Sequence, residues 1–76
     1  MIPTVNNLLK LAVKFKAEYP KGTRIQVDFM KDDTFPVPNG STATVLFVDD
    51  LGTLHCAFDN GRTYGVCPDV DIFHKI

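Results

Sequence analysis

The sequence predicts a mainly β domain with one N-terminal helix and five short strands, and three observations predict it. From residue 24 onward, short runs rich in β-branched and aromatic residues alternate with turn residues. Asn60-Gly61 lies between two such runs, the strongest short-range hairpin signal a sequence offers. Ahead of them, residues 4–19 repeat their apolar positions at helical spacing. With 76 residues the chain has room for one domain. It divides into a helical segment over 1–20 and a β unit over 21–76.

In the helical segment, Val5, Leu8, Leu9, Leu11, Ala12, Phe15 and Tyr19 fall in one broad stripe at 100° per residue. Asn6, Asn7, Lys10, Lys14, Ala17 and Glu18 cover the other side. Lys16 falls inside the stripe and is expected to run out along its edge. Thr4 can cap the start through its hydroxyl, and Pro20 with Gly22 stops the helix. The plainer reading packs the stripe on the outside of the β unit. The functional reading is a membrane-surface or partner-binding element.

Arg24–Met30 alternates, with Ile25, Val27 and Phe29 on the core face and Arg24, Gln26 and Asp28 on the other. Residues 31–40 (KDDTFPVPNG) are too polar for a strand and too long for a tight turn. Phe35 and Val37 within them either fold back as a lid or contact a ligand. Thr42–Asp49 is the second strand, apolar on both faces around Val45–Val48. One face is expected to meet the interior and the other the helix. Asp50-Leu51-Gly52 turns the chain, and Thr53–Asp59 and Arg62–Cys67 follow as strands three and four. Pro68–Asp71 suits a single 3₁₀ turn, and Ile72–Ile76 closes as strand five.

Asn60-Gly61 reads as a two-residue type I′ loop with positive φ at both positions. That register sets Asp59 opposite Arg62, Phe58 opposite Thr63, Cys56 opposite Gly65 and Leu54 opposite Cys67. Leu54, Cys56 and Phe58 then share one face, and His55, Ala57, Tyr64 and Val66 the other. The two cysteines share a face but sit diagonally, about 7–8 Å apart, beyond easy disulfide reach. Both read as reduced core residues. With no further Cys or His at ligand spacing, neither a zinc site nor a cofactor is expected. Five short strands, a long first loop, a tight hairpin between strands three and four and a 3₁₀ turn before the last strand give the order of an SH3-like small barrel.

Charge divides the chain unevenly. Lys10, Lys14, Lys16, Lys21, Arg24 and Lys31 against Glu18 and Asp28 leave residues 1–31 at +4. Arg62 and Lys75 against Asp32, Asp33, Asp49, Asp50, Asp59, Asp69 and Asp71 leave residues 32–76 at −5. An acidic barrel disfavours a phosphate backbone as ligand. No apolar run is long enough to span a membrane, and the start lacks the regions of a signal peptide. A cytoplasmic location is the default expectation.

Lys21-Gly-Thr-Arg-Ile-Gln-Val, Pro36-Val-Pro-Asn-Gly-Ser-Thr-Ala-Thr-Val, Val48-Asp-Asp-Leu-Gly-Thr-Leu-His, Phe58-Asp-Asn-Gly-Arg and Asp71-Ile-Phe together resemble a domain-of-unknown-function family. Its members are short chains of phages, plasmids and other bacterial mobile elements. The likeness covers residues 20–74 and leaves the helical segment outside the core motif. It implies an SH3-like barrel in a phage or mobile-element context and brings no catalytic residues. The chain departs from the family pattern at Ala43, where Gly is usual, and at Phe58, where Trp is frequent.

The dense polar clusters are Asp32-Asp33, Asp49-Asp50 and Asp69 with Asp71. The loops carrying them gather at one end of an SH3-like barrel, so the carboxylates can converge on a basic protein partner or a hard cation. The plainer reading is that aspartates cap turns. His55 has no Ser or second His at useful spacing, and adjacent Cys56 points to the opposite face, so a Cys–His enzyme is disfavoured. His55 and Tyr64 are expected to meet diagonally across the hairpin, in a patch that contacts a partner or, the favoured reading, docks under the helix.

The expectation is therefore a non-enzymatic module that contacts a protein partner through Asp32, Asp33, Phe35, Val37, Asp49, Asp50 and Asp71. A host or defence complex, inhibited by the contact, fits the mobile-element resemblance. One alternative is a nucleic-acid adaptor using Lys10, Lys14, Lys16, Lys21 and Arg24. The other is a structural, oligomeric phage component.

Overall fold

The computed structural model describes residues 5–31 and 37–76, with side chains from residue 10 onward. The Thr4 cap, the side chains of Val5, Leu8 and Leu9, and the proposed contacts Asp32, Asp33 and Phe35 lie outside the described residues. The elements are α1 (Val5–Glu18), β1 (Arg24–Phe29), β2 (Ser41–Val48), β3 (Leu54–Phe58), β4 (Thr63–Val66) and β5 (Ile72–Lys75). Local pattern placed every strand end to within one residue. Where the side chains point is another matter.

The strands form one antiparallel sheet in the order β4-β3-β2-β1-β5. Its edges are β4 and β5, and among the described residues no ladder joins them. The closed cylinder expected from the sequence is therefore not made by backbone pairing. The reason lies just past β4. Pro68 has no N–H to give, and the Cys67 N–H donates to a side chain, Asp71 Oδ2, at 2.8 Å. Asp71 Oδ1 accepts the Lys31 N–H at 2.9 Å. One buried carboxylate thus spans from the end of β4 to the end of β1.

The β3–β4 hairpin differs from the expected register by one residue. Leu54 faces Val66, His55 faces Gly65, Cys56 faces Tyr64 and Ala57 faces Thr63. The Phe58 N–H donates to the Arg62 carbonyl at 2.8 Å, and the Gly61 N–H to the Phe58 carbonyl at 3.0 Å. The loop is therefore Asp59-Asn60-Gly61, a turn closed by one left-handed glycine at φ +90°. Asn60 does not take positive φ. Its side-chain oxygen instead accepts the Arg62 N–H at 2.9 Å.

A slip of one residue exchanges the two faces of a strand. Tyr64 and Val66 consequently join Leu54, Cys56 and Phe58 on the core side, with Val66 fully buried and Tyr64 edge-on to Phe58 at 5.8 Å. The expected His55–Tyr64 contact is ruled out, since the two stand on opposite faces. Cys67 lies beyond the last pair, so the cysteines do not share the ladder. Both are free thiols; Cys56 is buried and Cys67 half-buried.

Two bulges repeat the effect. The β2–β3 register shifts at Leu46, which turns both Val45 and Val48 inward and leaves Phe47 outside at 54% exposure. The β1–β5 register shifts at Asp28, so Phe29 pairs with Ile72 on the outer side, 47% exposed, instead of joining Ile25 and Val27 in the core.

Helix α1 packs on the core side of the sheet and not on the second apolar face of β2. Ala12 is buried, and Phe15 and Tyr19 rest against the core of Ile25, Val27, Ala43, Val45, Leu54 and Val66. Tyr19 meets Phe73 edge-on at 5.5 Å and lies under the Lys75 ammonium. Gly52, at φ +84°, lets the β2–β3 turn pass beneath the helix: a Cβ there would touch Phe15. Val37 is buried in the core, the position expected of a lid residue.

Candidate functional site

The aspartates of the β unit are bound up in local structure. Asp49 accepts the N–H groups of Leu51 and Thr53 through Oδ1, and its Oδ2 lies 2.9 Å from His55 Nε2. The His55 contact, aided by those two main-chain bonds, holds its carboxyl below the ordinary range. His55 in turn stacks on Phe47, ring centroids 4.3 Å apart. Asp59 receives the Arg24 guanidinium in a bidentate grip at 2.7 and 2.6 Å and also the Thr42 hydroxyl. Arg24 first, and Thr42 second, push its pKa far down. Asp28 is lowered chiefly by His74 Nδ1, 2.7 Å away. Asp50 pairs with Lys16 at the surface, 2.7 Å apart.

Of the seven sequence-predicted contact residues, the described ones separate. Val37 is core, Asp49 holds the β2–β3 turn with His55, and Asp71 ties β4 to β1. Asp50 is exposed but paired. Among the described residues no three His, Cys, Asp or Glu side chains come together as a metal-binding group. Of the five cations in the basic-segment reading, two stand in intramolecular surface pairs, Lys16 with Asp50 and Arg24 with Asp59.

A different feature stands beside Asp71. Where β4 fails to meet the far edge of the sheet, an open groove of about 440 Å³ remains. Tyr64, Gly65 and Cys67 form one wall; Met30, Lys31, Val70 and Asp71 form the other. Its surface is mainly apolar. Arg62 Nη1 donates to the hydroxyl of groove-lining Tyr64 at 3.1 Å. Sequence reasoning singled out Asp71 but missed the rest, because the walls come from three separate stretches. One signal was present: an aspartate four residues after Cys67, across Pro68, is placed to cap the turn it closes, and the turn's bonds run from Val70 and Asp71 N–H to the Cys67 carbonyl.

A family model described as a domain of unknown function, DUF4314, matches residues 9–76. The chain belongs to this family. The DUF4314 match reaches back to residue 9, so most of α1 is part of the domain, whereas the motif likeness had begun at residue 20. No curated protein and no solved structure matches the chain. No helix among the described residues is long and apolar enough to cross a membrane.

Proposed function

We propose that this DUF4314 chain is a non-enzymatic, SH3-like small-barrel module that binds a protein partner, and that the groove beside β4 is its contact surface. The observation that carries the reading is the groove itself: a concave, mainly apolar surface with a few polar groups at its rim is the usual form of a recognition site. The SH3-like assignment is supported by the strand order, a four-strand meander whose fifth strand returns beside the first. The phage or mobile-element setting, with a host or defence complex as partner, rests on the motif resemblance. Asp71 remains part of the surface as a wall residue, and Asp32, Asp33 and Phe35 follow groove-lining Lys31 in the chain.

The non-enzymatic reading is supported by the chemistry of the reactive groups. Burial pushes the Cys56 thiol up to about 11, so it stays protonated at neutral pH. His55 and His74 each lie against a carboxylate, and among the described residues no hydroxyl or thiol completes either pair. A photo-crosslinking residue placed at Val70, in the groove, is expected to capture a partner from host lysate; the same residue at Val13, exposed on α1, is not. Capture from Val13 alone, or from neither, overturns the proposal.

A further inference from the structure

We infer that the groove receives an extended segment of the partner protein that carries an apolar side chain, added as a further strand along the edge of β4. The inference rests on the binding-module reading above and specifies how that site is filled.

In an antiparallel pair, hydrogen-bonded and non-bonded residue pairs alternate. The Phe58 N–H to Arg62 carbonyl bond marks 58–62 as bonded. The observed register then makes Cys56–Tyr64 and Leu54–Val66 bonded, and Ala57–Thr63 and His55–Gly65 non-bonded. The N–H and C=O groups of Thr63 and Gly65 therefore point away from β3, toward the groove. Cys67, next in that series, has its N–H taken by Asp71. Among the described residues the edge thus offers two residues of backbone pairing and then a stop. Proteins commonly protect such edges with lysine, proline or a bulge; Thr63–Val66 carries none of these. An added strand lies about 4.8 Å from its neighbour, which places it between Tyr64–Cys67 and the wall of Met30 and Val70.

The lining selects among extended segments. It is mainly apolar, and its two charged residues, Lys31 and Asp71, are of opposite sign, so an apolar side chain complements it better than a charged one. The added strand has β4 on one side and the wall of Met30 and Val70 on the other, which admits a lone segment; β4 of a second copy would bring β3 along its other edge into that wall.

The test is selection of a displayed random dodecapeptide library on the full chain, followed by titration of the synthesised winners into the isotopically labelled protein. Expected are sequences of β-forming residues that share one large apolar residue, and about tenfold slower hydrogen exchange of the Thr63 and Gly65 amides on binding. Thr63→Pro removes an edge donor that β3 does not use, and is expected to weaken binding about tenfold with little change in Tm. Should that variant fold poorly, Val70→Asp, at an exposed position in the groove, is expected to weaken binding by a similar factor. Bound peptides that leave both amides unprotected overturn strand addition while leaving the groove reading intact. Protection that rises with protein concentration alone assigns the edge to a second copy and overturns the inference. Failure to select any peptide, together with no crosslink from Val70, overturns both readings.

Discussion

The Phe58 N–H donates to the Arg62 carbonyl at 2.8 Å, and this one bond sets which side chains of β4 are buried. It fixes a three-residue loop in place of two. Tyr64 and Val66 turn inward as a result, and Thr63 and Gly65 present their backbone groups to the open edge.

The loop geometry separates two neighbouring substitutions. Gly61 alone requires positive φ, so Gly61→Val is expected to cost about 1–2 kcal/mol. Asn60→Ala removes only a side-chain bond to the Arg62 N–H, with an expected cost of about 0.5–1 kcal/mol. A type I′ loop would demand positive φ at both positions and penalise Asn60→Ala by more than this. Urea denaturation of the two variants distinguishes the geometries.

Asp71 carries the span from β4 to β1. Asp71→Ala leaves the Lys31 and Cys67 N–H groups without partners and is expected to destabilise by about 2–4 kcal/mol. Asp71→Asn keeps one accepting oxygen and is expected to lose roughly half as much. Equal stability of all three proteins in chemical denaturation would mean that the carboxylate does not bridge the two strand ends.

Acid should loosen the domain in a defined window. Asp59, Asp49 and Asp28 all have folded-state pKa values below the ordinary 3.8, held there by Arg24, His55 and His74 respectively. A carboxylate depressed on folding stabilises fully above its unfolded value and loses that contribution as pH falls toward its folded value. The Tm is therefore expected to be flat from neutral pH down to about 5 as far as these groups are concerned, and to fall below about 4. Asp59→Asn should flatten that acid limb while lowering Tm at neutral pH. An acid limb unchanged in Asp59→Asn would show that the Arg24 pair does not supply it.

The elements were legible and the faces were not. Turn residues and apolar periodicity placed each strand, because those signals are local. Which face a residue occupies depends on every one-residue insertion before it. The bulges at Leu46 and Asp28 and the third loop residue are such insertions. Each depends on fit between strands, so no short stretch displays it. The two-sided apolarity of Val45–Val48 follows from this: the bulge lets Val45 and Val48 both face inward, and Phe47 stacks on His55 outside. The candidate site suffered likewise. Asp49, Asp50 and Asp71 were visible as charge, but their use as turn caps and pair partners depends on which N–H or cation folding sets beside them. The groove could not be seen at all, since Met30, Tyr64 and Val70 meet only once the sheet stays open.

The central claim is that the outer edge of β4 is unpaired in the free protein, and residue-resolved amide hydrogen exchange tests it most directly. At low protein concentration, Tyr64 and Val66 should be protected by β3 while Thr63 and Gly65 exchange far faster. Equal protection of all four amides would show that another strand already occupies that edge, and would contradict the groove and the function assigned to it.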